Sequence, residues 1–132
     1  VLDGLGRYDE SEPIYRRVLA LFERELGPEH FEVAAALHNL AAVRQARGDP
    51  GEAESLQRRS LALKERLFGR THPEVGLALH NLAAIVHARG DVTEAAALYR
   101  RALGVFRRRL GGAHPTTVTC ARNLRGLTAR GR

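Results

Sequence analysis

Leu37-His38-Asn39-Leu40-Ala41-Ala42, closed by Gly48-Asp49, returns 42 residues later as Leu79-His80-Asn81-Leu82-Ala83-Ala84, closed by Gly90-Asp91. Outward from this stretch three further series keep the same interval: Gly6, Gly48 and Gly90; Gly27, Gly69 and Gly111; His30, His72 and His114. Asn39 and Asn81 continue to Asn123, and residues 6–47 match residues 48–89 at 23 of 42 positions. A period of this length sets the architecture before any local reading does, because each unit is one supersecondary element that must stack on its neighbours.

Each unit alternates two helix-length segments with short breakers. The first helix begins after the His turn and carries Val33, Leu37, Leu40 and Ala41, or Val75, Leu79, Leu82 and Ala83, at helical spacing. Pro73 and Pro115 stand where a first-turn N–H would have no partner anyway. Gly48 and Gly90 end it. The second helix restarts at Asp49-Pro50-Gly51-Glu52 and Asp91-Val92-Thr93-Glu94, each an Asp cap three residues before a Glu. Its apolar rows include Ile14, Val18 and Leu21, and Leu98, Ala102 and Val105, and it stops near Gly27, Gly69 or Gly111. A helix pair cannot bury both of its apolar rows alone, so successive pairs stack into a solenoid.

The Leu-His-Asn-Leu-Ala runs, the Gly-Asp turns, Glu94-Ala95 with Tyr99-Arg100-Arg101-Ala102-Leu103, and the Leu-Gly-x-x-His turn resemble tetratricopeptide repeats. The usual unit of that family has 34 residues; the 42-residue unit with a Leu-Gly-x-x-His-Pro turn is similar to the kinesin-light-chain type. The resemblance implies an all-α, right-handed superhelical solenoid of antiparallel helix pairs, about three pairs plus a C-terminal capping helix. It also implies a protein-interaction scaffold whose first helices line a concave groove. In register, residues 1–5 are the end of a truncated helix and residues 6–47, 48–89 and 90–131 are the repeats of a single array. Residues 116–130 form a terminal helix. There Arg125 replaces Ala41 and Ala83, a place where resembling repeats need a small residue for the paired helix to approach, so this helix is expected to cap the array with Arg122, Arg125 and Arg130 facing solvent.

Composition agrees with one domain of 132 residues, 44% hydrophobic and 27% charged, without an apolar run long enough to span a bilayer. The absence of Met, at position 1 included, points to a processed or excised piece. A single cysteine, Cys120, cannot form an internal disulfide, which favours a reducing, cytoplasmic compartment. The net charge of +6 is unevenly spread: residues 1–90 hold 12 basic and 13 acidic side chains, residues 91–132 hold 9 and 2.

His30, His72 and His114 recur in the turns, where capping accounts for them. His80 and His87 lie two helical turns apart, about 10 Å, too far to share a small ion. Cys120 takes the place of Ala36 and Ala78 and reads as a buried, inert thiol. The carboxylates, Glu10-Glu12 and Glu52-Glu54 among them, fall at helix starts and on outer faces, where dipole and solubility roles suffice. No nucleophile, phosphate loop, metal cluster or cofactor motif is readable, so the chain is expected to be no enzyme.

The candidates for function are the residues that the resemblance places along the groove: Asn39, Asn81 and Asn123, preceded by His38, His80 and Arg122, with Gln45 and His87 further along the same face. An evenly spaced row of amides offers donors and acceptors to the backbone of an extended peptide, and the Asn of this motif contacts ligand peptide in several family members. Protonation of His38, His80 and His87 below their reference pKa of about 6.5 is expected to favour acidic peptides at low pH. The expected partner is a protein, through a peptide or a helix. Two alternatives stand beside it. One is self-association through the N-terminal face of Ile14, Val18, Leu21 and Phe22. The other is anionic-surface or nucleic-acid binding through Arg107-Arg108-Arg109 and the basic end; nucleic acid is disfavoured because aromatics make up only 5% of the chain.

Overall fold

In the computed structural model residues 4–130 are described, with the side chains of 4–7 and 130 excepted. They form six helices: α1 (Gly4–Leu26), α2 (Phe31–Ala46), α3 (Pro50–Phe68), α4 (Pro73–Arg89), α5 (Val92–Leu110) and α6 (Pro115–Arg130), with no strand among the described residues. The chain divides into two compact units, residues 1–67 and 68–132.

Every turn closes its backbone hydrogen bonds locally. His30, His72 and His114 each accept the N–H two residues on, at Glu32, Glu74 and Thr116, through Nδ1 at 3.0–3.1 Å. The imidazole thus fills the acceptor role that Ser, Asp or Asn usually plays at a helix start. Asp49 and Asp91 accept the N–H of Glu52 and Glu94 through Oδ1 at 3.2 and 3.0 Å. Gly48 and Gly90 take left-handed φ values of 85° and 103°, and the following Asp49 and Asp91 N–H groups reach back to the Arg44 and Val86 carbonyls. That closure suits glycine, which has no Cβ to clash there. Gly6 differs, lying inside α1, which starts at Gly4 where α3 and α5 start at positions equivalent to Tyr8. The carbonyl that would close a stop at Gly6 belongs to Leu2, so the truncated helix expected at residues 1–5 falls largely outside the described residues.

In the first unit the core is Leu19, Val33, Ala34, Ala36, Leu37, Leu40, Ala41, Leu56 and Leu63, with Tyr15 and Phe22 packed against it. Of the apolar row expected on α1, Ile14 and Leu21 turn outward, 50% and 42% exposed. Ser60, fully buried, donates to the Ala34 carbonyl at 2.9 Å and ties α3 to α2. Glu12 corrects the sequence reading. It is not a solvated carboxylate: it is 7% exposed and accepts from Arg44 at 2.9 and 3.0 Å, Arg47 at 2.9 Å and Arg16 at 3.1 Å. Arg44 also reaches Asp49 and Arg16 reaches Glu52, so the network pins α1 to the α2–α3 turn. Glu12 and Arg44, Glu12 and Arg47, and Arg16 and Glu52 are 32–36 residues apart in sequence, and only packing brings them together.

In the second unit α5 packs on both α4 and α6. Phe106 is fully buried with its ring over Gly76, where a Cβ would come within 2.6 Å of the ring Cε1. Gly76 therefore serves close approach of helix and ring; its equivalent in the preceding repeat is Ala34, and that of Phe106 is Lys64. Cys120 is buried and donates to the Tyr99 carbonyl at 3.5 Å, and burial pushes its thiol up to about 11, as suits an inert position.

Gly76→Ala is expected to lower stability by about 1–3 kcal/mol through overpacking. Combining it with Phe106→Leu should cost less than the sum of the two single changes, as read in urea denaturation.

Burial alone would push the Glu12 carboxyl up, but hydrogen bonds from Arg44 and Arg16 outweigh it and hold the pKa below the ordinary 4.5. The stability this depression supplies is complete above the unfolded value and is lost as pH falls through the folded one. Glu12→Gln is therefore expected to unfold at lower urea than the parent chain at pH 7, with the gap narrowing as pH falls below about 4.5.

Candidate functional site

Of the residues singled out in the sequence, four converge in the second unit. Helix α4 supplies His80 and His87, two turns apart on one face; α6 supplies Arg122 and Asn123. His87, Arg122 and Asn123 line a cleft of about 280 Å³ together with Tyr99, Gly126 and Leu127. Gly126 stands where Ala42 and Ala84 stand in the preceding repeats, and nothing lies within 4 Å of the Cβ it lacks. The cleft is correspondingly open on that side.

Asn123 Nδ2 donates to His80 Nε2 at 2.9 Å. The ring must therefore present an unprotonated Nε2 and carry its proton on Nδ1. His80 also leans on Tyr99, ring centroids 5.3 Å apart and tilted by 57°. Burial lowers the His80 pKa below 6.5. This corrects one expectation: His80 resists the charge that was to draw acidic peptides at low pH, because charging it costs both desolvation and the Asn123 bond. Asn123 in turn uses one amide hydrogen to bridge α4 and α6.

The first unit repeats part of the pattern. His38, half-buried on α2, donates through Nδ1 to Gln57 Oε1 at 3.2 Å. Gln57 is 1% exposed and its Nε2 is buried without a hydrogen-bond partner. Asn39 is exposed, Gln45 and Asn81 are half-buried. Tyr99 and Gln57 were not recognised as site residues, yet the signal was present: each follows its histidine, His80 or His38, by 19 residues. In each case the residue 19 positions on lies on the next helix and meets the histidine ring, Gln57 by a hydrogen bond and Tyr99 by a tilted ring contact.

The tetratricopeptide repeat family model matches residues 2–66, 32–108 and 74–124, nearly the whole chain. The chain belongs to the tetratricopeptide repeat family. Its fold is shared with the nearly identical TPR-like repeats of a Podosopora anserina protein assigned as a kinesin light chain, at a TM-score of 0.84 and 27% identity over 92% of this chain and 58% of that one. A single-substitution form of that protein aligns equally well, with a TM-score of 0.84 and 26% identity over 92% of this chain and 57% of the other. BtubC (BKLC) of P. vanneervenii gives 0.85 at 23% identity over 92% and 49%, a likeness of fold alone. The tetratricopeptide array thus spans about half the length of these solved relatives, and its 42-residue units are of the kinesin-light-chain type. No curated protein matches it. None of its helices, among the described residues, is long and apolar enough to cross a membrane.

His80 is expected to titrate below 6.5 in NMR, and Asn123→Ala should move its midpoint upward, since the neutral ring then loses the donor that its Nε2 accepts from.

Proposed function

We propose that this tetratricopeptide array is a non-enzymatic scaffold that holds a peptide or partner helix against the exposed face of its first helices. Tetratricopeptide repeats serve protein interaction, and the cleft of the second unit carries the finer reading. Within one concavity it offers an amide with free hydrogen-bonding capacity, Asn123; a cation, Arg122; a second imidazole, His87; and an aromatic wall, Tyr99. Convergent polar groups beside an aromatic ring and Leu127 give a peptide both hydrogen-bonding and apolar contacts.

Asn39, Asn81 and Asn123, with His38, His80, Arg122, Gln45 and His87, are the residues we assign to ligand contact. The amides would hold the ligand backbone, and the cation and imidazoles would read its side chains. His80 acts differently from the others: its Nε2 is committed to Asn123, so its part is to set the amide plane that a ligand meets.

Partners captured from lysate by the chain should be retained after nuclease treatment and lost from an Asn81→Ala, Asn123→Ala variant. Once a binding peptide is mapped, Arg122→Ala is expected to weaken it about tenfold, near 1.4 kcal/mol, in fluorescence anisotropy. Capture that ignores both amides and disappears with nuclease would move the function to the exposed Arg107-Arg108-Arg109 run.

A further inference from the structure

The turn into α4 repeats the turn into α2 with one charge missing. In the first unit Glu29, one residue before the His30 cap, pairs with Arg66 from the last turn of α3 at 3.6 Å. One 42-residue repeat on, Glu29 becomes Thr71, Arg66 becomes Arg108 and Leu67 becomes Arg109. The contact between turn and helix end is kept: Arg109 Nη2 of α5 donates to Thr71 Oγ1 at 3.4 Å. The second unit thus brings an arginine to the same place in the turn, where it meets an uncharged hydroxyl.

That hydroxyl has no part in starting the helix. His72 caps α4, accepting the Glu74 N–H through Nδ1 at 3.0 Å and the Val75 N–H through its carbonyl at 2.9 Å. Thr71 is exposed, and so are Arg70, Arg108 and Arg109. None of these three arginines has a carboxylate partner among the described residues. Residues 69–72 and the first turn of α4 hold a single acid, Glu74. Thr71 also stands just before the cap, at the positive end of the α4 dipole, where added negative charge is stabilised.

We propose that Thr71 is a phosphorylation site whose phosphate is held by Arg109 and by Arg108, the counterpart of Arg66. A phosphothreonine carries close to two negative charges at pH 7 and three acceptor oxygens. It returns to the turn, with greater charge, the anion that Glu29 supplies in the first unit. Guanidinium to phosphate bonds are charge-assisted and stronger than the present neutral contact, so the modified turn ties the start of α4 to the end of α5. The reaction is transfer of the γ-phosphoryl group of a nucleoside triphosphate by a protein kinase. The Thr71 Oγ1–P bond forms as the bond between the γ-phosphorus and its bridging oxygen breaks; the nucleoside diphosphate leaves with that electron pair, and the hydroxyl proton passes to the kinase's base.

Phosphothreonine installed at position 71 of the 132-residue chain by semisynthesis tests the geometry. By phosphorus NMR its second ionisation is expected about half a unit below the usual value near 6, and an Arg108→Ala, Arg109→Ala background should bring it back up. The phosphorylated form should melt about 3 °C above the hydroxyl form, a gain lost when both forms carry the two alanines. Thr71→Val, which keeps the side-chain shape without the acceptor, should leave Tm within about 1 °C of the parent chain. Mass spectrometry of the protein isolated from the cells that produce it should find phosphate on Thr71. A phosphate ionisation or a Tm gain that ignores the two arginines would overturn the proposal, and so would a Thr71 that carries no phosphate in those cells in growth, starvation or stress.

Discussion

A helix that stops inside a compact chain must find partners for its last carbonyls and first amides within a turn of a few residues, and everything else in this protein hangs on how those turns are closed. The left-handed glycines stop the helices, and the imidazoles and aspartates restart them. Because the closures recur at 42 residues, helix lengths and rotational settings recur too, and equivalent side chains meet equivalent neighbours. The His38–Gln57 and His80–Tyr99 contacts are the same juxtaposition built twice with different chemistry.

On that repeating frame the two units distribute charge differently. In the first, cations are matched by nearby carboxylates, and a nearly buried Glu12 gathers three of them. A buried carboxylate is tolerable only with such partners, since its desolvation would otherwise favour the neutral form. In the second, Ala96 and Thr128 replace the network's centre, while most of the arginines stand on exposed α5 and α6 positions. The same helix geometry thus supports a closed electrostatic joint in one place and carries exposed arginines in the other.

Fold class was legible because it rests on local chemistry. Glycine stops, His and Asp caps and the apolar spacing of α2 and α4 are properties of residues within a few positions of one another. The role of Cys120 was legible too, since its equivalents are small and its surroundings apolar. The candidate site was only partly so. His80, His87, Arg122 and Asn123 were expected as members of an even row of ligand contacts. The bond between His80 and Asn123, 43 residues apart, was not legible there, because only packing of α4 against α6 brings the two together. Glu12 was misread for a similar reason: near the start of an exposed-looking helix nothing local distinguishes it from Glu10.

What the amino-acid order determined by itself, then, was where helices begin and end, which faces are apolar, and the period that stacks them, because those follow from hydrogen bonds and burial patterns counted in single residues. What only the tertiary structure decided was which charges are neutralised, which histidine stays neutral, and which glycine admits an aromatic ring, as Gly76 admits Phe106. Those depend on distances between helices, where a shift of an ångström separates a satisfied ion pair from a solvated one and an accommodated Cβ from a collision.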